Sequence, residues 1–112
     1  MCMDKKLMSV GTSLMVLKLL KAKDMYGYQI IKELEEQSEQ VFLLKEGTLY
    51  PILHNLEVQG AIESYEQVAE NKRLRKYYRI TEVGRNMFEE KNKEWQLYQR
   101  GINNVLGGVT FG

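Results

Sequence analysis

One stretch near the middle of the chain, residues 44–57, constrains the fold more than any other. Leu49, Ile52, Leu53 and Leu56 recur at the spacing that puts them on one side of an α-helix. Gly47, Pro51, His54 and Val58 fall on the opposite side, flanked by Thr48, Tyr50 and Asn55. A helix with a single apolar stripe must lay that stripe on a core supplied by other elements. Its outer side is compact, able to hydrogen-bond and free of a long acidic side chain at its centre, so it can approach another surface closely. Pro51 is expected in or near the first turn, where a missing N–H costs little. Gly60 is a suitable left-handed C-cap.

The 112 residues, 44% hydrophobic and 28% charged, leave room for one modest core and predict a single compact unit. One cysteine, Cys2, excludes an internal disulfide and a cysteine-based metal cluster, which makes a reducing, cytoplasmic setting the expectation. No uncharged apolar run approaches the roughly 20 residues of a membrane span, so no membrane partner is expected. His54 is the only histidine, and neither a metal site nor a nucleophile–base pair forms around it. No paired carboxylates, Gly-rich phosphate loop or Ser/His/Asp arrangement points to an enzyme, and no cofactor is implied. The net charge of +1 conceals an asymmetry. Glu33, Glu35, Glu36 and Glu39 lie close together without a base, whereas Lys72, Arg73, Arg75, Lys76 and Arg79 lie together without an acid, predicting one acidic and one strongly basic surface.

Taken in order, residues 5 to about 22 are so apolar (Leu7, Met8, Val10, Leu14, Met15, Val16, Leu17, Leu19, Leu20) that the helix they form needs two neighbours or a second subunit. Asp24 is a candidate cap for a second helix over residues 26–36, with Tyr28, Ile31 and Leu34 as its core contacts. Residues 41–44 read as an extended link with room for a brief strand. After the central helix, residues 61–66 and 76–81 alternate as half-buried strands do, with Ile62 and either Ser64 or Tyr65 facing Tyr78 and Ile80. Tyr77 and Tyr78 point to opposite sides, and alternation with Ile80 assigns Tyr78 to the core. Residues 68–75 form the polar tip between the strands. Three helices followed by a basic hairpin is the element order of a winged helix-turn-helix over residues 1–81, an α+β, mostly helical fold. Thr81 caps the last helix, which belongs to the same compact unit and runs from residue 82 to about residue 106, before a flexible tail at 107–112. On that helix Phe88, Trp95 and Ile102 fall seven apart and Tyr98 and Val105 fill the complementary position, a pattern suited to packing on a partner helix. Leu7 of the first helix joins these residues in the expected dimer interface.

For the central helix two readings stand side by side: a surface helix of a small α+β domain, or one that enters a DNA groove. Thr48, Tyr50 and Asn55 can donate to phosphates or base edges, and His54 can donate or accept. Gly47 and Pro51 leave little bulk at the helix N-terminus, which favours an anion, and Lys45 adds a charge beside it. Lys72, Arg73, Arg75 and Lys76, next to Tyr77, suit phosphate and minor-groove contact better than a merely solvated turn.

Three motifs then carry a resemblance. Tyr26-Gly27-Tyr28-Gln29-Ile30, Lys45-Glu46-Gly47-Thr48-Leu49-Tyr50-Pro51-Ile52-Leu53 and Arg75-Lys76-Tyr77-Tyr78-Arg79-Ile80-Thr81-Glu82-Val83-Gly84 closely resemble the PadR family of bacterial transcriptional regulators, over roughly residues 7–106. The length resembles the short subfamily with a single C-terminal helix. The resemblance implies a homodimer that exchanges its first and last helices and reads a pseudo-palindromic operator in double-stranded DNA, most often as a repressor released by a small-molecule effector. It also implies that Tyr26 touches the DNA backbone. The family's glycine-rich wing tip is replaced here by Ala69-Glu70-Asn71-Lys72-Arg73-Leu74-Arg75. Some short members hold planar aromatic molecules at the dimer centre, which would place Trp95 and Tyr98, with Met8 and Met15, around such a ligand. The other readings are an interface anchor for Trp95 and a winged helix used for protein contacts.

Overall fold

The apolar density of α1 (Lys5–Ala22) is matched by its position, packed from several sides at the centre of the chain's core. The structure, a computed structural model, describes residues 5–107, with side chains described from residue 11 onward. Cys2 and the tail at 108–112 therefore lie outside the described residues, and the side chains of Leu7 and Met8 outside those described. After α1 come β1 (Met25–Tyr26), α2 (Gly27–Gln37), α3 (Glu46–Val58), β2 (Ile62–Val68), β3 (Leu74–Ile80) and α4 (Glu82–Leu106). The strands form one antiparallel sheet in the order β1-β3-β2, so the fold is α+β and mostly helical, as expected. Val16, Leu17 and Leu20 of α1, Ile30 and Leu34 of α2, Leu49, Leu53 and Leu56 of α3, and Ile62, Tyr78 and Ile80 of the sheet share one core.

Helix α3 ends as its sequence predicts. Gly60 takes φ +77°, its N–H donates to the Glu57 carbonyl, and the Ala61 N–H reaches back to the Leu56 carbonyl at 2.9 Å, the paired bonds of a Schellman cap. Its start differs from expectation. The helix begins at Glu46, with Lys45 as N-cap, so Pro51 lies inside the second turn and not at its entrance. The first turn closes on the Lys45 carbonyl, which accepts from Thr48 and Leu49, each at 3.0 Å. Pro51 then leaves the Gly47 carbonyl without its helical donor, at a place exposed enough for water to supply one.

Helix α2 also turns its faces differently. Gly27, Ile30 and Leu34 are buried, Ile31 packs against the core from its edge, and Tyr28 is exposed. The cause lies at the helix start. Tyr26 is at once the last residue of β1 and the N-cap of α2, and its N–H donates to Gln29 Oε1 at 3.1 Å. Asp24 does not cap this helix; its carboxylate accepts a hydrogen bond from the Tyr65 hydroxyl. Residues 41–45 form no strand and are instead tied to the end of α2, where Ser38 Oγ accepts from the Phe42 N–H at 2.9 Å.

Thr81 caps α4 as expected, its Oγ1 accepting from the Gly84 N–H at 3.0 Å while its hydroxyl donates to the Gly60 carbonyl at 2.6 Å. The first turns of α4 pack on α1. Phe88 is buried there, with Lys21 Nζ 4.6 Å above its ring and the same ammonium paired with Glu89 at 3.2 Å. Phe88 thus belongs to the chain's own core and not to an outward seam. Beyond it the helix leaves the body, and Trp95, Leu97, Tyr98, Ile102, Val105 and Leu106 are all exposed. Among the described residues no helix is long and apolar enough to cross a membrane.

Candidate nucleic-acid interface

The faces of α3 divide as the sequence requires. Leu49, Leu53 and Leu56 are buried and Ile52 half-buried, while Lys45, Gly47, Thr48, Tyr50, Pro51, His54 and Asn55 are exposed. The side chains of Thr48, His54 and Asn55 make no hydrogen bond among those described, which leaves their polar groups for an outside partner. Tyr50 is different. A Cβ on Gly27 would stand 2.9 Å from the Tyr50 ring carbon that bears the hydroxyl, so the ring lies directly over that backbone. At Gly27 the Tyr50 side chain of α3 presses on the backbone of α2, and Tyr50 works partly as a spacer between the two helices.

The wing is the β2–β3 hairpin. Ile62 pairs with Ile80, Ser64 with Tyr78 and Tyr65 with Tyr77, which settles Ser64 as the inward partner of Tyr78. At the tip, the Lys72 N–H donates to the Ala69 carbonyl at 2.9 Å and the Ala69 N–H to the Arg73 carbonyl at 2.8 Å. Glu70, Asn71 and Lys72 thus form a three-residue loop, and Lys72 takes φ +65°, the left-handed conformation for which glycine is the usual choice. Lys72, Arg73 and Lys76 are exposed.

The outer face of the sheet carries aromatic rings between cations. Tyr77 meets Tyr26 edge-on at 5.3 Å and stacks on Tyr65 at 5.7 Å. Arg75 lies 5.2 Å above Tyr26 and Arg79 4.9 Å above Tyr65, with Arg79 also paired to Glu63 at 3.1 Å. Each such ring contact is worth about 0.5–1 kcal/mol at a partly exposed site. Tyr26, Arg75 and Tyr77, three of the expected DNA contacts, are therefore half-buried and held by one another. Tyr65, Asp24 and Arg79 complete this surface, although the sequence pattern pointed to other roles for Asp24 and Tyr65 and did not single out Arg79 as a contact. The signal for Tyr65 was available, since the strand alternation that pairs Ser64 with Tyr78 also sets Tyr65 beside Tyr77. Tyr78, on the inner face, has its hydroxyl pKa pushed up to about 12, first by burial and then by Tyr50 and Glu57.

On α4, Trp95 and Tyr98 are exposed neighbours with ring centroids 6.0 Å apart. Met15, expected beside them, packs against the core and lines a separate cleft with Leu34 and Phe42, to which neither aromatic contributes. Ile102 and Val105 continue the exposed apolar face of α4.

The family model for the transcriptional regulator PadR-like family matches residues 16–90. The chain is 40% identical over 94 residues to a protein of Lysinibacillus sphaericus, covering 84% of this chain and 86% of that one. It is 36% identical over 76 residues to a transcriptional regulator of Mycobacterium tuberculosis, covering 68% of this chain and 67% of the relative. A solved transcriptional regulator from Clostridium thermocellum is similar at a TM-score of 0.80 and 35% identity, over 88% of this chain and 96% of that one.

Proposed function

Because the chain belongs to the PadR-like family of transcriptional regulators, we propose that it acts as a homodimeric, sequence-specific DNA-binding repressor in the cytoplasm, released from its operator by a small-molecule effector. One observation carries the reading: a helix face of polar, uncharged side chains without partners among the described residues, on the same small domain as a hairpin whose exposed Lys72 and Arg73 make no ion pair among them. In this reading α3 enters the major groove. His54 and Asn55 reach base edges, while Lys45, Thr48 and the N-terminal turn beside Pro51 hold phosphates. Lys72, Arg73 and Lys76 follow the neighbouring backbone or minor groove. Tyr26, Tyr50, Arg75 and Tyr77 contribute their exposed edges while keeping the surface rigid. The apolar face of α4 from Trp95 to Val105 pairs with a second copy, together with Leu7 and the rest of the first helix.

The test is selection of bound duplexes from a random pool by the full chain. The expected product is a pseudo-palindrome with half-sites about one helical turn apart. Failure to enrich any sequence at low salt overturns the reading and favours a winged helix used for protein contacts. The exposed Trp95–Tyr98 pair supports a second reading, a sensor of planar aromatic molecules at the dimer centre. Quenching of Trp95 fluorescence by planar cationic dyes is its expected mark, and no response across a varied dye panel counts against it.

A further inference from the structure

We propose that the hydrogen bond from Tyr65 to Asp24 is a clasp that fixes the angle of the wing against the α2–α3 pair, which makes both of them positioning residues for DNA contact. The proposal rests on the DNA-binding reading for its consequence, though not for its geometry.

The two strands that carry these residues are not neighbours. The sheet order is β1-β3-β2, so β1 and β2 share no backbone hydrogen bonds. Asp24 directly precedes β1, and Tyr65 lies in the middle of β2. The Tyr65 hydroxyl nevertheless donates to Asp24 Oδ2 at 2.6 Å, closing a bridge across the central strand. The space between is filled by Tyr77, paired with Tyr26 on one side and with Tyr65 on the other.

The position of this bridge gives it leverage. Tyr26 ends β1 and caps α2 in the same residue, so β1 moves with α2, and α2 is spaced from α3 by the Tyr50 ring over Gly27. β2 runs on into the wing tip. Without the clasp, the wing is joined to the helices at this edge by a strand of only two residues. With it, the three strands close into a braced triangle. A carboxylate acceptor makes the bond short and strong, and this bond is also the first cause of the raised Tyr65 hydroxyl pKa. Arg79, 4.9 Å over the Tyr65 ring and paired with Glu63, adds a further contact to the ring.

The experiment uses the full chain and the duplex that the unaltered protein enriches. Tyr65→Phe keeps the ring and removes the bond; Asp24→Ala removes the acceptor; Asp24→Asn keeps an acceptor oxygen. Tyr65→Phe and Asp24→Ala should each weaken duplex binding roughly tenfold and flatten its salt dependence, because wing phosphate contacts fall out of register. The double variant should be no worse than either single one, and Asp24→Asn should recover most of the loss. In the absence of DNA, amide exchange at the wing residues should accelerate in Tyr65→Phe while the α1 core stays protected. Unchanged salt dependence, or unchanged wing exchange in a folded variant, overturns the clasp. If the unaltered chain enriches no duplex, the DNA-binding reading fails and the exchange measurement alone decides: faster wing exchange supports the clasp, and equal exchange overturns it.

Discussion

Gly84 has no side chain because the Ala61 carbonyl occupies the space one would need. A Cβ there would overlap that oxygen and stand 2.8 Å from Ile80 Cγ1. The same oxygen accepts from both the N–H and the hydroxyl of Thr81, each at 3.0 Å, so it cannot retreat without breaking the cap of α4. Gly84→Ala should therefore lower the unfolding free energy by about 2–3 kcal/mol, read as a fall in the urea midpoint at unchanged slope. Tyr78 supports a second prediction. Its hydroxyl pKa is raised by burial from 10.0 to about 12, so folding favours the neutral phenol. The associated stability is fully present below pH 10 and is lost as the pH rises through about 12, since the unfolded chain releases the proton first. Urea midpoints measured between pH 9 and pH 11 should fall less steeply in Tyr78→Phe than in the unaltered chain.

At the scale of elements, the wing shows how conformation and charge can be separated. Lys72 takes a left-handed backbone at φ +65° that costs a side chain about 1 kcal/mol. Lys72→Gly should raise stability by about 0.5–1 kcal/mol while reducing the salt slope of DNA binding by about 0.9 for each wing engaged. Urea titration and binding at several salt concentrations read the two effects independently. The three helices, the hairpin, the Thr81 cap and the Gly60 terminus of α3 were all legible, because each is written in local periodicity or local turn chemistry. β1 was not, since two residues carry no alternation and Tyr26 is claimed equally by the helix that follows. The buried face of α2 was misread for a related reason: Gly27 contributes to it through a missing side chain, which no hydrophobic pattern registers. Pro51 was placed one turn too early because Lys45 caps α3 through its backbone carbonyl, without a side-chain signature. Within the candidate interface, the exposed side of α3 followed from its stripe. The engagement of Arg75 with Tyr26 and of Tyr50 with Gly27 did not, because both contacts join residues far apart in the chain.

The whole molecule is elongated, 54 Å in its longest dimension against 22 Å in its shortest. Among the described residues α4 meets α1 around Phe88 and Glu89 and then projects with an exposed apolar side. Trp95 and Ile102 are 36% and 38% exposed, while Tyr98 reaches 57% and Val105 85%. Phe88 stands in the same seven-residue series but ends in the core, because the base of α4 lies against α1 while the remainder stays exposed among the described residues. If the proposed dimer forms through this face, Ile102→Glu should leave the chain folded and shift it toward monomer in sedimentation experiments. Operator affinity should drop by at least tenfold, as two half-sites would no longer be bound together. A variant that remains dimeric places the contact elsewhere on the molecule.

The corner at Ala61 also has a mechanical consequence. There the end of α3, the start of β2 and the start of α4 are joined through a single carbonyl and the Thr81 hydroxyl, with Gly84 pressed against them. Such a joint transmits rotation without bending. α4, at 25 residues, is a rigid rod roughly 37 Å long. If two copies pair through α4 as proposed, a change of roughly 5° in the angle between the rods would carry the opposite end through roughly 3 Å. That is comparable to the rise of one base pair, so in the proposed dimer a small wedge at the far end of the rod would shift the two reading helices against each other by about that rise.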